Sequence, residues 1–252
     1  MGTGLIPVFF AAALAVLGAI IGSFTANLCL RWPRGEGVVV GRSRCDACGR
    51  TLGVGELLPI LSFLATRGRC KSCRVPIDPL HWRVETASAA IGFVAVFAFG
   101  AGVQAMAIAL LGWLLVPLAI LDWRHFWLPN RLTLVVAATG LALGGWASTE
   151  PLVNRLAAGA IGYLSLAAIA STYRLLRRVE GMGRGDPKLF GALGLWLGIA
   201  AMPIMLLLAA LVGIIVAIVK RDARSGREPV AFGTMLCVAA LPAMLIAHIS
   251  II

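Results

Sequence analysis

Charged positions are spaced along this chain as in a protein of apolar spans joined by short basic loops. Six stretches, residues 1–30, 86–121, 132–149, 156–173, 189–219 and 229–252, contain no Lys, Arg, Asp or Glu. A helix rises 1.5 Å per residue, so about 20 apolar residues cross the ~30 Å hydrocarbon core of a bilayer. The second and fifth stretches are too long for one crossing. The second breaks at Gly100-Ala101-Gly102-Val103-Gln104 and the fifth has a hairpin signal at Gly198 to Pro203, which predicts eight spans, the sixth and seventh short. The expected fold class is an all-α polytopic membrane protein with about eight transmembrane helices.

Composition agrees. Of 252 residues, 60% are hydrophobic and 13% charged, against roughly 25% charged in soluble domains. The formal charge of +11 would point to nucleic acid in a soluble protein, but its placement removes that partner. If the first helix runs from outside to inside, segments 31–85, 122–131, 174–188 and 220–228 face the cytoplasm and hold 21 of the 22 Lys and Arg residues, with Arg155 alone outside. That is the asymmetry of the positive-inside rule. Reading 189–219 as one span would send Lys220, Arg221, Arg224 and Arg227 to the far side, so eight spans with both termini outside is the consistent topology. The first segment lacks a basic leader and reads as a retained helix. The expected domains are helix 1 in residues 1–30, a cytoplasmic cysteine domain in 31–85, and a membrane core with helices 2–8 in 86–252. The basic loops also suit anionic membrane lipid.

Four of the six cysteines form two C-x-x-C pairs, Cys45-Asp46-Ala47-Cys48 and Cys70-Lys71-Ser72-Cys73. Two thiolates three residues apart grip a metal from one tight turn, and a second turn completes a tetrahedral shell. The flanking Arg44, Arg50, Arg69, Lys71 and Arg74 offset the charge of four thiolates. Two disulfides or a redox pair are the alternatives, and a reducing cytoplasm disfavours both. Structural Zn2+ held by Cys45, Cys48, Cys70 and Cys73 is the expectation. Cys29 and Cys237, alone in apolar helices, read as packing thiols.

Eleven acids occur in the chain. Most fall in loops with basic neighbours, and Glu85 reads as a helix-start charge. Two stand apart, because ionisable groups at the membrane boundary are costly and functional by default. Asp122 ends an apolar run, and Asp186 lies in Gly183-Arg184-Gly185-Asp186-Pro187-Lys188 ahead of the sixth span. Taken alone, Asp186 suits a helix N-cap followed by Pro187. Together, two carboxylates in a partly desolvated site can share a proton and activate water for peptide hydrolysis. A helix carboxyl end disfavours an anion and an amino end favours one, so the expected assignment is Asp186 ionised and Asp122 protonated. Lys188 is either a support for the Asp186 charge or one more basic loop residue.

The segment Asp122 to Leu128-Pro129-Asn130, together with Gly183-Arg184-Gly185-Asp186, resembles the two aspartate motifs of the prepilin peptidases, membrane aspartic proteases of the Gly-x-Gly-Asp type. Gly22-Ser23-Phe24, Pro33-Arg34-Gly35-Glu36, the four cysteines, Pro59, Ser62, Pro79, Glu85 and Phe232-Gly233 follow that family's pattern in order. The resemblance implies catalytic aspartates at Asp122 and Asp186 and metal ligands at the four cysteines; Gly183, Gly185 and Lys188, read from their position beside Asp186, are the expected supporting loop. It implies prepilin or pseudopilin substrates cut at the cytoplasmic face of a bacterial inner membrane. It also implies N-methylation of the new amino terminus, with S-adenosylmethionine as methyl donor. Ala26 and Leu57 stand where the family often has Asn, with Asn27 one position later. No motif locates a pocket for the methyl donor. The rival readings are a peptidase without methyltransferase activity and, from another class, a zinc-stapled transporter or scaffold, whose acids would lie near mid-span.

Overall fold

The computed structural model describes residues 5–37, 43–179, 181–223 and 230–249. Glu180, Arg224, Arg227 and Glu228 lie outside the described residues, as do the side chains of Lys220, Arg221 and Asp222. The described helices are α1 (Leu5–Arg31), α2 (Leu61–Ala65), α3 (Leu80–Phe99), α4 (Val103–His125), α5 (Asn130–Ala147), α6 (Leu152–Arg177), α7 (Asp186–Leu197), α8 (Ala201–Ala223) and α9 (Phe232–Ile249). Apart from the short α2, they occupy the eight apolar segments expected from the sequence. Both predicted breaks are present, and each begins at a glycine in the left-handed region, Gly100 at φ +84° and Gly198 at φ +76°. A side chain there would be strained.

Six helices, α1, α3, α4, α6, α8 and α9, are long and apolar enough to cross a membrane. At 12 residues, α7 covers only about 18 Å, less than the ~30 Å hydrocarbon core. The expectation of a short seventh span fails, since α8 runs 23 residues. Its partner α7 is the short one because its amino end is fixed by the Gly-Asp-Pro turn and its carboxyl end by Gly198.

The chain divides into two compact units, residues 1–117 and 118–252. In the first, α1 and α3 lie backbone to backbone. A Cβ at Gly18 would sit 2.2 Å from the Ser88 carbonyl oxygen, one at Gly22 2.7 Å from the Glu85 Cα, and one at Gly92 2.4 Å from the Leu14 carbonyl oxygen. Gly18 and Gly22 are four residues apart and share one helix face, the close-approach pattern of membrane helix pairs. The Trp113 indole N–H donates to the Ser88 carbonyl at 2.8 Å. Cys29 is buried, with its sulfur 3.9 Å from the Pro117 carbonyl oxygen.

The second unit is built around α7, against which α5, α6, α8 and α9 pack. Leu189, Leu193 and Trp196 are fully buried there, and the Trp196 indole donates to the Val136 carbonyl at 2.8 Å. A Cβ at Gly194 would lie 2.6 Å from the Ala158 carbonyl carbon, and one at Gly191 2.9 Å from the Gly159 carbonyl oxygen. The small-residue segments 157–160 and 191–194 therefore meet within one protomer. Arg155, the one basic residue outside the inside-positive pattern, is buried and donates to the Leu141 carbonyl of α5 at 3.1 Å. A cation near a helix carboxyl end is favoured by the peptide dipoles.

Candidate active site and metal centre

Asp122 and Asp186 meet at the amino end of α9. Asp122 is in the last turn of α4, and its Oδ2 accepts the Thr234 backbone N–H at 2.6 Å and the Thr234 hydroxyl at 3.0 Å. Asp186 is the first residue of α7, and its Oδ2 accepts the Gly183 N–H at 3.1 Å. The Gly233 amide also bonds to Asp186. Both carboxylates therefore receive first-turn amides of α9, which have no partner within the helix and carry its positive dipole end. A Cβ on Gly233 would lie 3.0 Å from Asp122 Oδ2 and 3.0 Å from Asp186 Oδ1, so these oxygens are no more than about 6 Å apart. Asp122 is 5% exposed and Asp186 3%.

Three glycines at the site lie where a side chain would collide with it. Gly183 bends the chain so that its amide reaches Asp186. Gly185 and Gly233 both lie under Leu128, whose side chain would be 2.7 Å from a Cβ at either position. Leu128 belongs to the sequence segment that follows Asp122, so it joins the two aspartate motifs physically. Pro129 precedes α5, and Asn130 Oδ1 accepts the Lys188 ammonium at 2.9 Å. Lys188 thus ties the α7 amino end to the α5 amino end.

Two details differ from the sequence expectation. Asp186 is not the N-cap of α7: Gly185 occupies that position and no side chain caps the helix. The surroundings of Asp186 also differ from the expected ones. Burial first, and then the neighbouring Asp122 carboxylate, push the Asp186 carboxyl up to about 7, against the pull of the Gly183 and Gly233 amides. Asp122 Oδ2 instead takes the Thr234 amide at 2.6 Å, and the Thr234 hydroxyl is shared at 3.0 Å between Asp122 Oδ2 and the Ala119 carbonyl. The argument from α4 and α7 alone omitted α9, whose amino end lies over both groups. Thr234 is the residue that sequence reasoning missed. The adjacent Phe232-Gly233 pair was its only signal.

The four cysteines converge in the first unit, their sulfurs all within 4.8 Å of one another. Tetrahedral Zn–S bonds of ~2.3 Å place sulfurs about 3.8 Å apart, and Cys45 and Cys73 are 3.9 Å apart. The two turns are built alike. Gly49 N–H donates to the Cys45 carbonyl at 2.9 Å, and Arg74 N–H to the Cys70 carbonyl at 3.1 Å. Gly49 (φ +70°) and Arg74 (φ +59°) both take the left-handed conformation after the second cysteine. One isolated bridge closes each turn, Arg44 with Thr51 and Arg69 with Pro76. The Cys73 and Ser72 amides pull the Cys70 thiol down to about 6. Cys73, despite the Val75 amide, is pushed up to about 11 by desolvation and by the other three sulfurs. A metal relieves that conflict by taking all four as thiolates. All six cysteines are unpaired by disulfides. The donor set fits Zn2+, and Arg31 ties the end of α1 to the first turn through Asp46 at 3.0 Å.

Glu85 is not a helix-start charge. Because α3 begins at Leu80, Glu85 is in its second turn and 6% exposed, where Oε2 accepts the Ile60 N–H at 2.7 Å.

The family model for the bacterial peptidase A24 N-terminal domain matches residues 16–99, and that for the type IV leader peptidase family matches residues 108–218. The chain is 37% identical over 206 residues to a prepilin leader peptidase/N-methyltransferase from Burkholderia pseudomallei (strain K96243), covering 81% of this chain and 67% of that protein. It is 31% identical over 265 aligned positions to one from Pseudomonas putida, covering 95% and 91%, and 37% identical over 214 to one from Aeromonas hydrophila, covering 82% and 72%. No solved structure matches the chain. With both family models matching in order and relatives of this identity aligned along most of their length, the chain belongs to the type IV leader peptidase family.

Proposed function

We propose that this protein removes the leader from prepilins or pseudopilins with an aspartate dyad and then methylates the new amino terminus using S-adenosylmethionine. The observation that carries the peptidase half is the convergence of Asp122 and Asp186 on Gly233 at the α9 amino end. The names of its relatives carry the methyltransferase half. In this reading Asp122, positioned by the Thr234 amide, is the carboxylate that orients and deprotonates the attacking water. Asp186, holding a proton, hydrogen-bonds to the scissile carbonyl oxygen and stabilises the charge that develops on it. Gly183 and Gly185 shape the loop, and Lys188 braces it through Asn130.

Cys45, Cys48, Cys70 and Cys73 hold Zn2+ as a structural staple, since four protein ligands leave no open position for substrate. The zinc-bearing domain corresponds to residues 31–85 and the peptidase core to 86–252. Eight helices cross a bacterial inner membrane, with both termini outside and the aspartates at the cytoplasmic face. The support is the one-sided placement of Lys and Arg. The short α7 would cross only with its flanking turns. A reporter enzyme active only outside the cytoplasm, inserted after Thr149 or after Ser225, tests this topology. Activity from the second insertion would overturn it.

The function itself is tested by incubating the purified protein with a prepilin, with and without S-adenosylmethionine, and weighing the product. Loss of the leader in both mixtures and one added methyl in the second is the expected result. Cleavage that survives Asp122→Asn or Asp186→Asn would remove the dyad.

A further inference from the structure

The first unit contains a cavity of about 300 Å³ between α1, the start of α3 and the cysteine turns, within the range of small-molecule sites. Its lining includes Ser23 and Asn27 from α1, Phe63 from α2, and Asp78, His81 and Glu85 from the entry to α3. None of these residues takes part in the aspartate site.

Two features mark it as a built site. The first is Glu85, a carboxylate 6% exposed that accepts a backbone amide and, among the described residues, forms no ion pair. The nearby acids Asp46 and Glu56 are instead paired with Arg31 and Arg50. The second is the turn that holds Glu85. Leu61 N–H donates to the Pro59 carbonyl at 2.6 Å, and between them Ile60 has φ +63° and ψ −52°. This is the rare positive-φ γ-turn, here on a β-branched residue, for which such a conformation is a clear outlier. Backbone strain of this kind persists where surrounding contacts enforce it, and it clusters at functional sites. The enforcing contact is the Ile60 N–H on Glu85.

We propose that this cavity binds the methyl donor, a sulfonium nucleoside, with the Glu85 carboxylate facing its cationic part; this rests on the methyltransferase half of the function proposed above. The lining suits the ligand's mixed chemistry. Phe63 and Leu30 offer apolar surface to the planar base. Ser23, Asn27 and Asp78 offer polar groups for hydroxyls, and Arg34 and Arg69, also in the lining, suit the ligand's own carboxylate. Transfer there would proceed by attack of the neutral amine nitrogen on the methyl carbon. The C–S bond breaks with its electron pair left on sulfur as a thioether, and the methylated ammonium gives up one proton to water. Ala26 is fully buried, whereas Asn27, one step round the helix, lines the cavity.

Equilibrium dialysis of radiolabelled S-adenosylmethionine against the purified full-length protein tests this, alongside prepilin cleavage and zinc content. The wild type should bind one equivalent. Glu85→Gln should weaken binding at least tenfold while leader cleavage stays within about twofold, and Asn27→Leu, which fills the cavity, should do the same. If Glu85→Gln loses cleavage as well, Asn27→Leu decides. Variants that bind like the wild type overturn the site and leave the function standing. A wild type that cleaves but neither binds nor methylates overturns the methyltransferase reading and this site with it.

Discussion

Gly233 shows how much chemistry one missing methyl group controls. A Cβ there would stand 3.0 Å from a carboxylate oxygen of each aspartate and 2.7 Å from Leu128 Cδ1, so Gly233→Ala must displace at least one of the three. Misplacement of reacting groups by about 1 Å costs on the order of 10²-fold in rate. Leader cleavage should fall by about that factor while zinc content is unchanged; near-normal cleavage would mean the dyad does not work at this spacing. The raised Asp186 carboxyl gives a pH prediction of definite sign. Below about 7 it keeps its proton, and above that both aspartates are anions and the carbonyl loses its hydrogen-bond donor. The kcat/KM profile should therefore fall as pH rises through about 7, and a profile flat from pH 6 to 9 would reverse the assigned roles. The linkage has the same sign: the folded protein holds a proton that the unfolded chain releases near 4, so stability declines as pH rises across that window. At this scale the sequence identified the two aspartates and the four cysteines by residue type and spacing. It did not reveal the Thr234 contact to Asp122, and it misread Glu85 as a helix-start charge, because the partners, Thr234 and Ile60, lie 112 and 25 residues away.

Helix boundaries were legible because glycine and charge punctuate the chain, whereas helix neighbours were not. The α6 and α7 pairing depends on Gly191 and Gly194 facing Ala158 and Gly159, which the sequence left compatible with a contact between two protomers. That geometry can be tested against an internal control. Gly194→Val places atoms into the Ala158 and Gly159 backbone, at 2.6 and 2.7 Å from the new Cβ, and should cost about 1–3 kcal/mol or more, as overpacking does. Gly213→Ala on α8 meets only Met235 Cγ at 3.8 Å, so it should be neutral or slightly stabilising through its better helix propensity. Thermal unfolding in detergent, read by tryptophan fluorescence, should separate the two by several degrees. Equal melting temperatures would mean that α6 and α7 do not pack this way. The length of α8 is the other element-scale correction: the break at Gly198 and the short α7 before it were legible, but the span after the break runs 23 residues and not a short one.

For the whole molecule, the zinc turns are expected to stabilise the first unit far more than the second. One Zn2+ per chain should be found, and Cys48→Ser or a strong chelator should lower it, since structural zinc contributes directly to folding free energy. Methylation should then be lost before leader cleavage, as the cavity shares Cys45 and Cys70 with the metal turns while Asp122 and Asp186 belong to the other unit. Equal loss of both activities would show that the units do not act separately. The distribution of 22 basic residues and six uncharged stretches by itself determined the fold class, the helix count and the candidate groups, because transfer of charge into hydrocarbon is so costly that it disciplines every segment locally. Only the tertiary structure decided that α9 brings its free amides to both aspartates. It also decided that Glu85 pins a strained turn beside a cavity, and that Arg155 is buried against α5 with its guanidinium on the Leu141 carbonyl. Each of these is a contact between residues distant in the chain, set by packing of whole helices, and no local pattern encodes it.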